Sequence, residues 1–307
     1  MSDWWMTVGA GGRRPPGAGP GQGTRPRFRI VAFPHAGGWP SAFRSWWQVL
    51  PADVELLVAQ LPGRGARINE APLTRVAPQV EALGRSLAER EPLPYAVIGH
   101  SFGSVLGYEL TRAMERRGLA PRLLAVSARQ PPCFPSEPPF AHLRSDAELL
   151  DHLVDIGGMA PGLLNRPDLV QLSLRAIRAD LEAMERYERP VTGTSTPILA
   201  LGAVDDPVVV AERLHLWSLE TSGGFSRLMF TGGHFYLYAP AHAETVAGRL
   251  LRDREGLPVD RGGLPVDRGG PSADREGPSA GSGTVHPLRH PIPVSGGHAK
   301  HFGKEPA

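Results

Sequence analysis

Residues 95–103 read Tyr-Ala-Val-Ile-Gly-His-Ser-Phe-Gly, and this pattern is the strongest indication of the fold. Its first four residues predict a short buried strand, and a helical pattern begins near Gly103. Ser101 lies between them, at the centre of a Gly-x-Ser-x-Gly pattern. A serine on such a sharp strand-to-helix turn presents its hydroxyl at the end of a sheet, where it can act as a nucleophile. Side chains at Gly99 and Gly103 would collide with the neighbouring strand and helix, so both glycines fit this interpretation.

Short apolar runs alternate with amphipathic stretches on both sides of this turn. The predicted strands are 27–33, 54–60, 95–98, 123–127, 197–201 and 226–230, and the predicted helices include 76–90, 105–117 and 241–251. This alternation predicts an α/β fold, with a mainly parallel sheet and helices on both faces. Residues 144–190 show helical patterns without a strand. They predict a helical insertion that acts as a lid over the carboxyl edge of the sheet.

The folded domain is expected over residues 27–252, because the two ends of the chain differ in composition. Residues 1–26 are rich in Gly, Pro and Arg and predict a disordered leader, with docking of Trp4 and Trp5 on the domain as the alternative. From Asp253 a seven-residue repeat begins, and each of its four units contains Gly and Pro. Such units exclude a helix, so residues 253–307 predict a disordered repeat tail.

The bulk composition excludes several classes of function. A net charge of +2 argues against nucleic acid as a partner, and no apolar run is long enough to span a membrane. The single Cys133 excludes an internal disulfide and fits a reducing, cytoplasmic location. We expect no metal site. The alternative is a loose site formed by the four histidines of the tail, which Pro and Gly residues separate from one another: His286, His290, His298 and His301.

A serine nucleophile needs a base and an acid, which in such folds follow it in the order Ser, Asp or Glu, His. His234 fits the base, because it lies in Gly-Gly-His-Phe at 232–235, just after the last predicted strand. The acid should follow the preceding strand, where Asp205 and Asp206 stand side by side. Asp206 is preferred because the Asp-Pro-x-Val run matches the position of the acid in related hydrolases. Asp205 remains the alternative, with capping of the next helix as its other role.

Acyl transfer also needs backbone N–H groups that bind the oxyanion. One donor is expected to be Phe102, the residue after the nucleophile. The other is expected in the loop after the first long strand, Phe-Pro-His-Ala-Gly-Gly at 33–38, where Ala36 is the candidate. The paired glycines let the backbone of this loop approach a substrate closely.

Taken in order, these motifs resemble the stand-alone, type II thioesterases that accompany polyketide synthases and non-ribosomal peptide synthetases. The resemblance covers about residues 27–252. Its remaining motifs are Leu-Pro-Gly-Arg-Gly-Ala-Arg at 61–67, Ser-Ala-Arg-Gln-Pro-Pro at 127–132 and Leu-Arg-Ala-Ile-Arg-Ala-Asp at 174–180. This chain has Ala203 where the family often has a second glycine and Phe102 where methionine is common. Neither departure touches the candidate triad.

The resemblance implies an α/β-hydrolase fold and an enzyme that removes acyl groups from the phosphopantetheine arms of acyl or peptidyl carrier proteins. Such editing clears stalled or wrongly primed carriers through a Ser101 acyl-enzyme, with water activated by His234. The arm belongs to the substrate, so no cofactor is expected, and a monomer is expected. Met159 and Leu163 are candidates to line an acyl chamber, with core packing as the alternative. Arg64 and Arg67 are candidates to dock acidic carriers, with a solvated loop face as the alternative.

Two other enzyme functions use the same triad: a product-releasing thioesterase and a small-molecule carboxylesterase. Oxygen and sulfur esters pass through the same kind of acyl-enzyme, so the triad does not separate them. A third hypothesis is a non-catalytic binding protein with the same fold. The complete set of Ser, Asp and His argues against it.

Overall fold

The central strands carry apolar side chains on both faces, which is typical of parallel strands covered by helices on two sides. The computed structural model describes residues 3–9, 25–136, 138–159, 162 and 164–252. Within them the strands are β1 (Trp5–Gly9), β2 (Phe28–Phe33), β3 (Val54–Ala59), β4 (Tyr95–His100), β5 (Leu124–Ser127), β6 (Ile198–Ala203) and β7 (Phe225–Phe230). Residues of β2 to β6 are buried throughout.

These strands form one sheet in the order β1-β3-β2-β4-β5-β6-β7. Strand β1 is antiparallel to β3, and every other neighbouring pair is parallel. The prediction of a mainly parallel α/β sheet is confirmed. From β2 the chain continues to β3 on one side, whereas from β4 it continues to β5 on the other. The loops after β2 and β4 therefore diverge and leave a crevice at the carboxyl edge, where open α/β sheets bind ligands.

Helices cover both faces of the sheet. They are α1 (Arg44–Val49), α2 (Val76–Ala88), α3 (Phe102–Glu115), α4 (Asp146–Asp155), α5 (Pro167–Glu185) and α6 (Pro240–Leu251). One apolar cluster joins Ile30 of β2 to Trp46 of α1 and Val246 of α6. Another joins Val31 of β2 to Leu83 of α2 and Leu106 of α3. Ile30 and Val31 point to opposite faces of the strand, so α1 and α6 cover one face while α2 and α3 cover the other.

The helical insertion contains α4 and α5, and its described residues hold no strand. Helix α4 begins with a capping box, in which the Ser145 hydroxyl accepts from the Glu148 N–H and the Glu148 carboxylate accepts from the Ser145 N–H. The two helices share an apolar cluster of their own: Leu149, Leu153, Met159, Val170, Leu174 and Ile177. In the described part of the chain, no helix has both the length and the apolarity to cross a bilayer.

The amino-terminal end differs from its prediction, because part of the expected disordered leader is a strand. Strand β1 pairs with β3, with Trp5 opposite Ala59. The Trp5 side chain is 1% exposed and packs edge-on against Phe33, with ring centroids 5.6 Å apart. Trp4 lies under the Arg67 guanidinium, 4.0 Å from its ring centroid. Both tryptophans therefore dock on the domain, which was the alternative to a disordered leader. The leader from 10 to 24 and the tail from 253 lie outside the described residues.

We expect Trp5→Ala to lower the free energy of unfolding by about 3–5 kcal/mol, the cost of removing a fully buried large aromatic side chain. Met6→Ala is a matched control, because Met6 is the next residue of β1 and is 41% exposed. It should change stability by less than about 1 kcal/mol. Urea unfolding followed by circular dichroism measures both. Equal stabilities for the two variants would contradict the stabilising role given to the buried Trp5 side chain.

Candidate active site

Ser101 lies on the sharp turn between β4 and α3, as the sequence predicts. Its backbone has φ 55° and ψ −117°, a conformation that non-glycine residues rarely adopt. A Cβ on Gly99 would overlap the backbone of Gly103, and a Cβ on Gly103 would overlap the Phe33 carbonyl at the end of β2. The turn is also held from β5, because the Ser101 N–H donates to the Ser127 carbonyl at 2.8 Å. This backbone strain is stored where the nucleophile is expected.

His234 and Asp206 are in direct contact. The His234 Nδ1 lies 3.0 Å from each carboxylate oxygen of Asp206. Their side chains are 4% and 1% exposed. A buried carboxylate at Nδ1 fixes the imidazole orientation and favours the tautomer that leaves Nε2 free to accept a proton. The His234 ring centroid is 5.4 Å from that of His100, the residue directly before Ser101. The loops after β4, β6 and β7 therefore bring the predicted triad residues to one edge of the sheet.

Of the two adjacent aspartates, Asp206 is the one that reaches the imidazole. Its Oδ1 also accepts from the Val208 N–H at 2.8 Å, which anchors the loop after β6. Asp205 is exposed, and its Oδ2 accepts from the Gly232 N–H at 3.2 Å. Asp205 thus ties the two loops together without contacting His234. The geometry favours Asp206 as the acid, which agrees with the preference from the sequence.

The two predicted oxyanion donors lie on either side of the crevice. Phe102 is the first residue of α3, so its N–H has no acceptor within the helix. Ala36 lies in the loop after β2, which is the strand next to β4. In that loop the Gly38 N–H donates to the His35 carbonyl at 2.8 Å, and the Gly37 N–H donates to Asp180 at 2.7 Å. These two bonds fix the shape of the loop around Ala36.

His100 is fully buried behind the nucleophile and belongs to a polar chain whose other members, Ser127 and Tyr236, the sequence did not indicate. Its Nδ1 lies 2.9 Å from the Ser127 Oγ, which lies 2.7 Å from the Tyr236 hydroxyl. Burial lowers the pKa of His100 well below its ordinary value, and the neighbouring imidazoles of His234 and His35 lower it further. Burial likewise lowers the pKa of His35 to about 3. Both imidazoles therefore stay neutral at physiological pH.

The buried, neutral His100 predicts a stability that falls in mild acid. An unfolded histidine titrates near pH 6.5, so the unfolded chain takes up protons there while folded His100 does not. Stability should therefore decrease as the pH falls below about 6.5, by up to about 1.4 kcal/mol per pH unit for each such histidine. We expect urea unfolding of His100→Asn to show a shallower loss between about pH 7 and pH 5.5. The exposed His215, changed to Asn, should keep the parental slope. Equal slopes for parent and His100→Asn would contradict this prediction.

The interpretation of Arg64 and Arg67 as carrier-docking residues is wrong, because both side chains are buried. Arg64 is 1% exposed and forms a two-point ion pair with Asp180 of α5. Arg67 is 6% exposed, pairs with Glu70 and donates to the Gln60 carbonyl at 2.9 Å. A solvated loop face is equally excluded. Both arginines instead hold the loop after β3 against its neighbours.

The helical insertion contacts the site at two points. Its turn after α4 packs against Phe235, the residue after His234, where a Cβ on Gly158 would lie 3.1 Å from the ring. On the other side, α5 packs against Gly37 beside the predicted oxyanion donor. Met159 is 7% exposed and lies within the apolar cluster of the insertion. This position agrees with core packing, the alternative to a role in lining an acyl chamber. Leu163 lies outside the described residues.

The contacts of Asp180 with the loops of this site could not be predicted from the sequence. Asp180 lies in a helical pattern with charged neighbours, Arg178 and Glu182, and nothing local distinguishes it from a solvated position. In the structure it is 0% exposed and contacts loops that lie more than a hundred residues earlier in the chain. The one signal available was its place at the end of the motif at 174–180.

Comparison with known proteins agrees with this geometry. The family described as "Thioesterase domain" matches residues 28–253. Among curated proteins, the gramicidin S biosynthesis protein GrsT of Aneurinibacillus migulanus is 31% identical over 214 residues, which are 69% of this chain and 84% of GrsT. The antimetabolite synthetase AmbE of Pseudomonas aeruginosa is 38% identical over 213 residues, which are 68% of this chain but 10% of that much longer protein.

Solved structures give the same picture. The type II thioesterase BorB from the borrelidin biosynthetic cluster superposes with a TM-score of 0.70 and 34% identity. The match covers 83% of this chain and 99% of BorB. The relatives thus include proteins little longer than the matched region and a large synthetase of which this chain matches a small part.

Proposed function

Because this chain belongs to the thioesterase family and is a thioester hydrolase of the serine-hydrolase type, we propose that it hydrolyses acyl groups from the phosphopantetheine arms of carrier proteins. Its relatives include type II thioesterases of assembly-line pathways. The carriers would be acyl or peptidyl carrier proteins of a polyketide or non-ribosomal peptide pathway. In that setting the enzyme removes stalled or wrong acyl groups, acts as a monomer in the cytoplasm and needs no cofactor.

The contact between His234 and Asp206 is the observation that carries the mechanism. With Nδ1 held by the carboxylate, Nε2 of His234 takes the proton of the Ser101 hydroxyl as Oγ attacks the thioester carbonyl. The carbonyl oxygen becomes an oxyanion, which the N–H groups of Ala36 and Phe102 bind. The carbon–sulfur bond then breaks, and the imidazolium returns its proton to the leaving thiolate of the arm. The acyl group remains on Ser101 as an ester.

Deacylation repeats the same steps with water in place of the hydroxyl. His234 takes a proton from water as the water oxygen attacks the ester carbonyl, and the same donors bind the second oxyanion. The carbon–oxygen bond to Ser101 breaks, the proton returns to Oγ and the free acid leaves. The carrier regains a free thiol and can be loaded again.

A comparison of substrates tests the proposed class. We would measure kcat/KM for several short acyl groups and one full-length product chain, each on a carrier protein, on a short thiol that mimics the end of the arm, and on a simple alcohol as an oxygen ester. The proposal expects the carrier-bound thioester to react fastest and a range of short acyl groups to be removed. A preference for the free oxygen ester would indicate a carboxylesterase. Hydrolysis restricted to one full-length product chain would indicate product release.

A further inference from the structure

A buried carboxylate connects the helical insertion to the loop that carries the predicted oxyanion donor. Asp180 lies on α5, is 0% exposed, and its Oδ2 accepts from the Gly37 N–H at 2.7 Å. Gly37 directly follows Ala36. A hydrogen bond from a backbone N–H to an ionised carboxylate is shorter and stronger than one between neutral groups. The insertion therefore contributes a charged acceptor to the loop after β2.

Arg64 compensates the charge of this carboxylate. Its Nη2 donates to Asp180 Oδ1 at 2.9 Å, and its Nη1 pairs with Asp180 Oδ2. Its Nε and Nη2 also donate to the Pro62 carbonyl, at 3.2 and 3.1 Å. The side chains of Arg64 and Asp180 are 2% and 1% exposed. An isolated carboxylate would be very unfavourable in such a place, so the guanidinium is what allows a charged acceptor to face Gly37.

Helix α5 also packs directly on the Gly37 backbone. Gly37 has φ +72°, and a Cβ there would overlap Cγ1 of Ile177. Ile177 and Asp180 lie three residues apart on α5, hence on the same face of the helix. One face of α5 therefore supplies both an apolar contact and a hydrogen-bond acceptor to the same peptide. A side chain at position 37 would push α5 away from this peptide.

This peptide controls the direction of the proposed oxyanion donor. The Gly37 N–H belongs to the planar, trans peptide that links Ala36 to Gly37, so holding the N–H also fixes the Ala36 carbonyl on the opposite side. The remaining freedom of Ala36 lies in its two backbone torsions, and fixing this peptide restricts them. The Ala36 N–H belongs to the preceding peptide, whose carbonyl, that of His35, accepts from the Gly38 N–H at 2.8 Å, so the bond to Asp180 and this turn together restrict its direction. Oxyanion donors stabilise the transition state because they are in place before the reaction.

We propose that Asp180, with Arg64 as its charge partner, is a positioning residue that sets the Ala36 N–H of the oxyanion hole. This inference rests on the proposed function, because it takes Ala36 as an oxyanion donor. It gives the helical insertion a second role besides covering the site. The position of α5 sets the rate of acyl transfer as well as access to the crevice. A purely structural ion pair would affect stability and leave the chemical step unchanged.

Two double variants separate these roles. Arg64→Met accompanies each, so that no unpaired cation remains buried. With Asp180→Asn the side chain keeps an oxygen that can accept from Gly37, whereas with Asp180→Ala the acceptor is lost. We expect the Asn variant to keep kcat within about fivefold of the parent and the Ala variant to lose about 10- to 100-fold, less than removal of a whole donor. KM should stay close to the parental value in both, since substrate binding is not altered.

A second readout reports the oxyanion hole directly. An acyl trifluoromethyl ketone forms a tetrahedral adduct with a serine hydroxyl, and its oxygen occupies the hole. Its affinity should fall in the Ala variant by the same factor as kcat and stay near parental in the Asn variant. Glu55→Gln is the matched control, because Glu55 forms a buried ion pair with Arg29 at the starts of β3 and β2, away from the carboxyl edge. It should lower stability and leave kcat and ketone affinity unchanged.

The result that overturns the inference is a parental kcat and ketone affinity in the Ala variant. If Ser101→Ala is inactive in the same assay, the proposed function stands and the positioning role alone fails. If Ser101→Ala is active, the proposed function itself fails. Should the double variants not fold, Arg64→Lys keeps a charged pair but loses the two-point geometry. We expect its kcat to fall about tenfold with KM near the parental value, and an unchanged kcat there also overturns the inference.

Discussion

Asp206→Asn is expected to lower kcat for an acyl carrier protein by about four orders of magnitude while the fold stays intact. Both carboxylate oxygens of Asp206 lie 3.0 Å from the His234 Nδ1. A neutral amide does not stabilise the imidazolium as a carboxylate does. Its NH2 group can donate to Nδ1, which favours the tautomer with the proton on Nε2. A protonated Nε2 cannot accept the proton of Ser101. Steady-state kinetics with an acyl-loaded carrier measure the effect, and circular dichroism checks the fold.

Asp205→Asn is the matched control, because it makes the same change one residue earlier. The Asp205 carboxylate accepts from the Gly232 N–H and lies in an exposed position. An amide oxygen can accept the same bond, so we expect kcat to fall by less than about tenfold. A larger loss in Asp205→Asn than in Asp206→Asn would show that the acid has been assigned to the wrong aspartate.

Ser101→Ala should remove at least about a thousandfold of the activity, because the acyl-enzyme can no longer form. Alanine tolerates the φ of 55° about as well as serine does, so stability should stay close to that of the parent. The residual rate then reflects the oxyanion hole and substrate binding alone. A fluorophosphonate, which reacts with activated serines, should label the parent and leave Ser101→Ala unlabelled. Near-normal turnover by this variant would contradict the mechanism.

Much of the fold could be predicted because its signal is local. Strands β2 to β7 are short apolar runs, and the predicted bounds differ from the observed ones by at most two residues at either end. Strand β1 was missed because it lies within a segment rich in Gly, Pro and Arg. The β-prone residues Trp5, Thr7 and Val8 were a usable signal, which the composition of the whole leader obscured.

The candidate triad could be predicted from order and local context, since each member follows a strand of a parallel sheet. The choice between Asp205 and Asp206 could not be settled this way. Adjacent residues on a loop point in different directions, and only the three-dimensional path of the loop shows which carboxylate meets His234. The preference for Asp206 came from likeness to other hydrolases, and the contact at Nδ1 supports it independently.

The arginines show the opposite case. Charged residues in a Gly-rich loop usually face water, so Arg64 and Arg67 were interpreted as exposed. Their burial depends on partners that local patterns do not reveal. Asp180 lies 116 residues from Arg64, and Trp4 belongs to the segment that was expected to be disordered. A buried arginine is stable only when its carboxylate and carbonyl partners are present, and the carboxylate that pairs with Arg64 is brought to it by the tertiary fold.

The proposed mechanism requires Ser101 to accept an acyl group from a carrier protein. The most direct measurement mixes the enzyme with an acyl-loaded carrier, stops the reaction with acid within one turnover, and determines the masses of the carrier and of the peptide that contains Ser101. We predict that the carrier loses the mass of the acyl group and that the Ser101 peptide gains it transiently. A carrier that stays loaded, while the same enzyme hydrolyses simple oxygen esters, would contradict the proposed mechanism.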